Sequence, residues 1–401
     1  MTSNKLLKDR RLYVIFSITL IAVMGVASII PALPKISETL DLNKTQIGLM
    51  ISAFTFPGIF LTPIAGIMAD RLGRKIVLVP SLFIFALAGF AIYFFHSFYY
   101  IVLLRVIQGI GAASLGSLNT TLIGDFYKAK QLPEAMGYNA SVLSLSTASY
   151  PLIGGILAGF AWYYPFVMPL LAIPVGLFVI FGIKEPEIEK PSNIKQYLKD
   201  ISNSFLKREV IAIFILGTLT FIILYGAFLT YMPFLLNQKF DLAASQIGIF
   251  ITLSSITTAI VATYVGKLTW KFGSLFLLKT AFFLYLIANL LIPNIENMYI
   301  LVIPILLFGS AQALNIPSLQ TSLAKLSPDN QRGAFMCVNG MVIRLGQTLG
   351  PMIIGIGYSI SGLKGSYYLG ALMAVLGLVV SFTLLNENKI SSKKDNTGNC
   401  Q

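Results

Sequence analysis

Arg344 lies in an apolar run, 334–358, about ten residues from its start, which in a membrane helix is roughly 15 Å from either face. A guanidinium at that depth costs about 2.5–3.5 kcal/mol or more, so it needs water, a partner or a ligand. No Asp or Glu lies deep in any apolar run; Asp70, Asp125 and Glu134 all stand at run ends. Two readings are open. Either Arg344 faces a cavity and attracts an anionic or strongly dipolar group, or backbone carbonyls, Gln347 or another polar side chain satisfy it. Gln108, Gln312, Asn315 and Tyr225 lie at similar depth, and Asn139, Tyr150 and Asn339 are further candidates to line the same cavity. Met24, Phe54, Phe221 and Phe228 would give it an adaptable apolar wall, although each of these side chains taken singly also serves as packing. Arg105 is the second arginine inside a run. It stands about six residues, or roughly 9 Å, from the outer end, so snorkelling to the surface is one reading of it.

This chemistry is non-covalent recognition. No Gly-x4-Gly-Lys-Ser/Thr loop is present, so no ATP drive is visible. The one histidine, His96, falls between runs, and Cys337 and Cys400 are too different in setting to suggest a disulfide or a metal site. With no nucleophile triad and no His/Cys/acidic cluster, the expectation is a protein that is not an enzyme and takes no cofactor or metal.

Of 401 residues, 56% are hydrophobic and 11% charged, with mean hydropathy +0.79, whereas a soluble domain carries about 25% charged residues. The net charge of +13 does not imply nucleic acid, because the charges cluster in short segments between runs of about 20 residues, the length that crosses a bilayer. Twelve spans are expected, at 12–33, 45–69, 76–95, 99–123, 134–157, 165–183, 209–236, 244–268, 275–293, 299–322, 334–358 and 366–385. The basic start, residues 1–11, precedes a run that suits a first span better than a cleaved leader. Lys35, Lys44, Lys239 and Lys364 are the only basic residues in outer loops if both termini are cytoplasmic, so that orientation is expected. The expected partners are a small-molecule substrate, protons and the lipid bilayer of the cell's inner membrane, with a monomeric chain.

Residues 184–208 form the one long polar stretch, read as a cytoplasmic linker with an amphipathic helix over 194–206. It divides an N-terminal bundle, 1–183, from a C-terminal bundle with a short tail, 209–401. An offset of 200 residues relates the two. Asp41, Gln46, Gly48, Gly66, Gly73, Gly109, Asn139, Pro151 and Gly155 recur as Asp241, Gln246, Gly248, Gly266, Gly273, Gly309, Asn339, Pro351 and Gly355. Shared glycines and prolines at one offset mark shared helix ends and bends.

Four motifs carry a resemblance. Gly66-x3-Asp70-Arg71-x-Gly73-Arg74-Lys75, between the second and third runs, resembles the cytoplasmic loop 2–3 signature of the major facilitator superfamily. Its glycines permit close helix approach and a sharp turn. Arg105-x2-Gln108-Gly109-x-Gly111-Ala112-Ala113 resembles the family's second signature. Ser146-x3-Tyr150-Pro151-x2-Gly154-Gly155 is similar to its antiporter signature, with Ser146 and Tyr150 in place of two glycines. Gly25 with Pro31 and Pro34 resembles the twelve-span drug:proton antiporter branch, and reads equally as a helix terminator. The resemblance implies an all-α membrane protein of twelve transmembrane helices in two six-helix parallel repeats, with a substrate site near the midplane. It implies proton coupling at Arg105 and a charge latch of Asp70, Arg74 and Asp125, against which the plain reading is solvated loop charges. Pro151 and Pro351 are expected to bend their helices. The function so implied is proton-coupled efflux of small amphipathic compounds by alternating access. The missing membrane carboxylate shifts the expected cargo from cations to neutral or anionic molecules, with Asp125 or Glu134 left as proton carriers. The alternatives are an importer or facilitator of an anionic metabolite and a non-transporting sensor.

Overall fold

The structure, a computed structural model, describes residue 6 and residues 8–127, 131–182, 207–327 and 332–385. The expected linker and its amphipathic stretch (184–206) and the tail beyond 385 lie outside the described residues. Among those residues there is no strand. The membrane-length helices are α1 (Arg10–Thr39), α2 (Lys44–Leu72), α3 (Arg74–Phe94), α4 (Phe98–Phe126), α5 (Gln131–Phe160), α6 (Tyr164–Gly182), α7 (Arg208–Phe240), α8 (Ala244–Phe272), α9 (Ser274–Asn294) and α10 (Met298–Leu326). The last helix, Arg332–Thr383, breaks at Ser361 (φ −141°) and Gly362 (φ 62°). Its arms, α11 (332–360) and α12 (363–383), complete twelve.

The repeat seen in the residues is present in the backbone. Helices α2, α3 and α4 have the bounds of α8, α9 and α10 shifted by 200 residues. The turns that set those bounds repeat as well. Asn43 caps α2 in a reciprocal box with Gln46, and the Gln246 side chain accepts from the Ala243 amide at 2.9 Å. Asp41 and Asp241 end the preceding helices at φ 51° and 52°, a left-handed position tolerated by Asp. Gly73 and Gly273, at φ 110° and 82°, make the two-helix turns that an L side chain would strain.

Two helices depart from the expected runs. Helix α1 does not stop at its prolines. Pro31 and Pro34 sit in the first turns of Ile30–Ala32 and Leu33–Thr39, where a missing N–H costs little, and the helix continues outward. Helix α7 contains a π-helical stretch, Ile223–Thr230, a rare form that often marks a functional site.

The contacts group Met1–Lys190 with Phe228–Ser255 as one unit and Pro191–Ala227 with Ile256–Gln401 as a second. These groups are not the sequential halves at 183 and 209, and the division between Ala227 and Phe228 falls inside the π stretch of α7. In unit 1, the end of α7 packs on the end of α1, with the Lys44 ammonium 4.9 Å over the Phe234 ring. The Thr252 hydroxyl of α8 donates at 2.8 Å to Ala148 O, in the turn of α5 before Pro151. Gly155 leaves room for the backbone of Ala244.

Without a hydrophobic drive between helices in lipid, small residues decide which surfaces meet. A Cβ at Gly111 would stand 2.6 Å from Ser81 O, and one at Gly109 would strike Phe54 O, so α4 nests against α3 and α2. In unit 2 a Cβ at Gly346 would stand 2.6 Å from Thr218 O, and Gly350 faces Ile222 and Gly226, which joins α11 to α7.

Candidate functional site

The charge cluster forms within unit 1. The turn at Gly73 places Arg74 at the start of α3, where its side chain is buried and reaches two carboxylates. It pairs with Asp70 at the end of α2 and donates from Nε to Asp125 Oδ2 at 3.0 Å at the end of α4. The plain reading of these as solvated loop charges is thereby set aside for Arg74. Asp70 and Asp125 keep contact with water, so each pair is a modest charge-assisted contact. Gly66 does not do what was expected of it. A Cβ there would meet nothing within 4 Å, so no close helix approach depends on it.

Arg105 is fully buried in unit 1, which rules out the snorkelling reading. Its Nη1 donates at 2.8 Å to Gly25 O and at 2.8 Å to Gln108 Oε1. The rings of Phe54 and Phe166 lie 5.1 and 5.5 Å from the guanidinium. The bond to Gly25 has a local cause. Helix α1 breaks after Ala27, which orphans its last carbonyls. The Ser28 and Ile29 amides turn to Met24 and Val26, and Arg105 reaches Gly25 O. Nε and Nη2 of Arg105 and Nε2 of Gln108 have no hydrogen-bond partner. Gln108 was expected to line a cavity. It is instead wholly buried, as the acceptor for Arg105. Met24 and Phe54 are buried packing residues too, and so is Phe228.

A third cluster in unit 1 was missed in the sequence apart from Asn139. Asn119 Nδ2 donates to the Thr19 hydroxyl at 2.7 Å, and that hydroxyl donates to Asn139 Oδ1 at 2.5 Å. Asn119 Oδ1 is buried without a partner, while Asn139 remains partly exposed. The available signal was a polar side chain inside an apolar run on each of three helices. Tyr150 was expected at a cavity wall but is buried, next to Pro151, which sits inside a helix continuous from Gln131 to Phe160.

In unit 2 the structure brings together several of the expected residues. Arg344 is partly buried on α11; its Nη1 donates to Gln347 Oε1, one turn on, at 3.3 Å, and Tyr225 of α7 lies within electrostatic range. Asn315 is fully buried rather than exposed to a cavity, with Oδ1 accepting from Thr220 at 2.9 Å; Asn315 Nδ2 and Ser318 Oγ are without hydrogen-bond partners. Gln312 and Asn339 are partly exposed, Gln312 beside Thr258. Pro351 lies inside the helix that carries Arg344 and Gln347. Among the described residues no group of three His, Cys, Asp or Glu could hold a metal. An apolar groove of about 770 Å³ in unit 1, lined by Phe90, Tyr93, Phe160 and Tyr164 among others, contains none of the candidate residues.

Two of these clusters gather polar groups without a covalent chemistry of their own: a guanidinium with a phenol and an amide, and a triad of hydroxyl and amides. The sequence pattern that describes the Major Facilitator Superfamily matches residues 15–291 and, again, 235–399. The chain belongs to the major facilitator superfamily. Multidrug resistance protein 1 of Bacillus subtilis (strain 168) is 27% identical over 379 residues, which cover 93% of this chain and 96% of that one. The quinolone resistance protein NorA of Staphylococcus aureus (strain MRSA252) is 24% identical over 378 residues, 93% and 96% of the two chains. Among solved structures, a bacterial homologue of the human lysosomal transporter Spinster, inward-facing and unoccupied, superposes with a TM-score of 0.78 at 19% identity over 94% of this chain and 97% of that one. As a major facilitator protein with twelve membrane helices, the chain is a multi-pass transporter whose cargo is a small molecule, and the resemblance to the drug-antiporter branch stands on the first two relatives.

Proposed function

We infer that the chain exports small amphipathic compounds, neutral or anionic, by alternating access driven by protons moving inward. The N- and C-terminal bundles, 1–183 and 209–401, are the moving parts, joined by the cytoplasmic connection 184–208, with both termini cytoplasmic and the protein acting as a monomer. The names of the two drug-resistance relatives support efflux. The observation that carries the cargo class is the polar group on α11 and α7. Arg344, Gln347 and Tyr225 offer a cation and neutral donors, and no carboxylate accompanies them deep in a span. Such a site favours a carboxylate, a sulfonate or a strong dipole over a cation. Gln312, Asn139 and Asn339, all partly exposed, are assigned to substrate contact. Asp125 or Glu134 carries the proton, and Asp70, Arg74 and Asp125 latch the outward-open state.

Purified protein in sealed vesicles, with a pH gradient and a panel of charged and neutral amphipathic compounds, tests this. Export by antiport moves protons opposite to the cargo. Movement in the same direction favours the second reading, an importer of an anionic metabolite, which the two membrane arginines and the departures at Ser146 and Tyr150 support. Binding without flux makes the protein a sensor. If Arg344→Ala and Arg344→Gln both carry every compound as the parent does, Arg344 is not the cargo's partner.

A further inference from the structure

The repeat breaks where unit 1 builds its charge cluster. At the 200-residue offset, Asp70, Arg74 and Asp125 become Trp270, Ser274 and Lys325. The helix contact survives in neutral form, since the buried Ser322 hydroxyl donates to the buried Ser274 hydroxyl at 3.2 Å. The turn between α8 and α9 is therefore left with basic charge and no acid. Lys267 and Lys271, one helical turn apart at the end of α8, are exposed, as is Lys325 at the end of α10. None of these lysines forms an ion pair with a described residue.

Aromatic surface accompanies these lysines. Trp270 is 81% exposed, the largest side chain on the turn. The Lys271 ammonium lies 5.0 Å over the Phe272 ring, which stacks on Phe276 at 5.4 Å. The Lys279 ammonium lies 4.4 Å over Phe382, itself 64% exposed on the last turn of α12. Phe276 and Phe382 lie within two residues of the ends of membrane-length helices, where exposed rings and nearby lysines suit the boundary between acyl chains and headgroups. A water-soluble acidic partner matches the lysines but not the rings.

We propose that this end of unit 2 binds an anionic phospholipid. Lys267 and Lys271 hold its phosphate, Trp270 lies at the interface, and an acyl chain runs along Phe272 and Phe276. The binding does not depend on what the protein carries or in which direction, so the site stands or falls apart from the proposed function.

The test uses the full chain in mild detergent, delipidated and titrated with phosphatidylglycerol or with phosphatidylcholine of the same acyl chains, with bound lipid counted by native mass spectrometry. A lysine beside a lipid phosphate is worth about fivefold in affinity. Lys267→Gln/Lys271→Gln is therefore expected to weaken the first phosphatidylglycerol by about 20- to 30-fold and to leave phosphatidylcholine unchanged. Trp270→Ala is expected to weaken both lipids by a few-fold. All three residues are exposed, so the variants should unfold at the parent's temperature in lipid-free detergent. An unchanged preference for phosphatidylglycerol in the double variant overturns the proposal. So does full competition by glycerol phosphate, which would make the ligand a soluble phosphate. If Arg71→Gln abolishes the preference instead, the lipid sits on unit 1 and the assignment is wrong.

Discussion

The buried Arg105 makes a prediction whose sign is unusual: removing its neighbour Gln108 should cost more than removing both. Gln108→Leu takes away one of the two acceptors, Gly25 O and Gln108 Oε1, of a wholly buried cation. Losing a neutral hydrogen-bond partner of a buried charge costs about 1.5–3 kcal/mol, because the charge stays behind. Arg105→Met removes the charge and keeps most of the volume. It leaves Gly25 O and Gln108 Oε1 buried without a donor, at about 1–3 kcal/mol each, against a burial cost of several kcal/mol that disappears with the guanidinium. Those terms roughly cancel. In Arg105→Met/Gln108→Leu one of the two orphaned acceptors is gone too, so the double variant should be at least as stable as Arg105→Met and about 1.5–3 kcal/mol more stable than Gln108→Leu. The readout is thermal unfolding of the detergent-solubilised protein, followed by fluorescence of Trp162 and Trp270 at a fixed scan rate, with transport in vesicles measured in parallel. Gln108→Leu should melt several degrees below the double variant. Both arginine variants should lose transport if the buried charge is kept for coupling rather than for stability. A double variant that melts below Gln108→Leu would refute the reasoning, since it would mean that the guanidinium is a net stabiliser by its own contacts.

Glycine substitutions separate the two kinds of glycine in the motifs. Gly154→Ala places a methyl on the Ser28 carbonyl and should destabilise by about 1–3 kcal/mol, whereas Gly66→Ala meets nothing and should be neutral or stabilising by roughly 0.5–1 kcal/mol, both read by thermal unfolding. Asp125→Leu removes the acceptor of the buried Arg74 Nε and should cost about 1–3 kcal/mol, more than Arg71→Gln; equal melting temperatures would count against the cluster. At the start of α1, burial raises the Asp9 carboxyl, but hydrogen bonds from the Arg11 side chain and amide and from Tyr127 outweigh it and hold the group below the usual carboxylate range. A depressed folded value means that this stability is present above the unfolded value of about 3.9 and is lost as pH falls through the folded one. Asp9→Asn should therefore lower the melting temperature at pH 6 and close that gap progressively below pH ~4.

Much of the fold was legible because membrane helices announce themselves by length, and because the repeat fixes both registers at once. Asp41 with Asp241 and Gly73 with Gly273 are turn residues whose conformations only a few side chains adopt, so their recurrence reported the backbone directly. The π stretch at Ile223–Thr230 was not legible, since an extra residue in a helical turn leaves no mark on composition. For the site, depth along a span could be read but rotation about the helix could not. Gln108, Asn315 and Tyr150 lie at the right depth and are buried against neighbouring helices, whereas Arg344 and Gln312 remain partly exposed. Asn119 and Thr19 were passed over because each is a single weakly polar signal, and their meaning lies in meeting Asn139 across three helices.

The repeat itself indicates which polar residues are scaffold and which are specific to one half. Turn and packing residues are duplicated: Asp41, Gly73, Gly109 and Pro151 all have counterparts 200 residues on. The buried polar groups are not. Arg105 corresponds to Ile305, Gln108 to Phe308, Asn119 to Leu319 and Thr19 to Leu219, while Arg344 corresponds to Ser144 and Asn315 to Leu115. Each pair shows that the same helix position in the same fold is satisfied by a neutral or apolar side chain, so the polar member is not required for the helix to form or pack. A buried guanidinium or amide that the fold can do without is a cost that calls for another cause. Cargo binding or coupling is the cause we propose, which places Arg105, Thr19 and Asn119 beside Arg344 as residues to test. Asn139 and Asn339, alike in both halves, are then the pair whose loss should affect packing as much as transport. Arg105→Ile and Asn119→Leu, which install the counterpart residues, should accordingly fold and insert while altering flux. A failure of both to insert would show that the halves, though alike in backbone, pack their interiors by different rules.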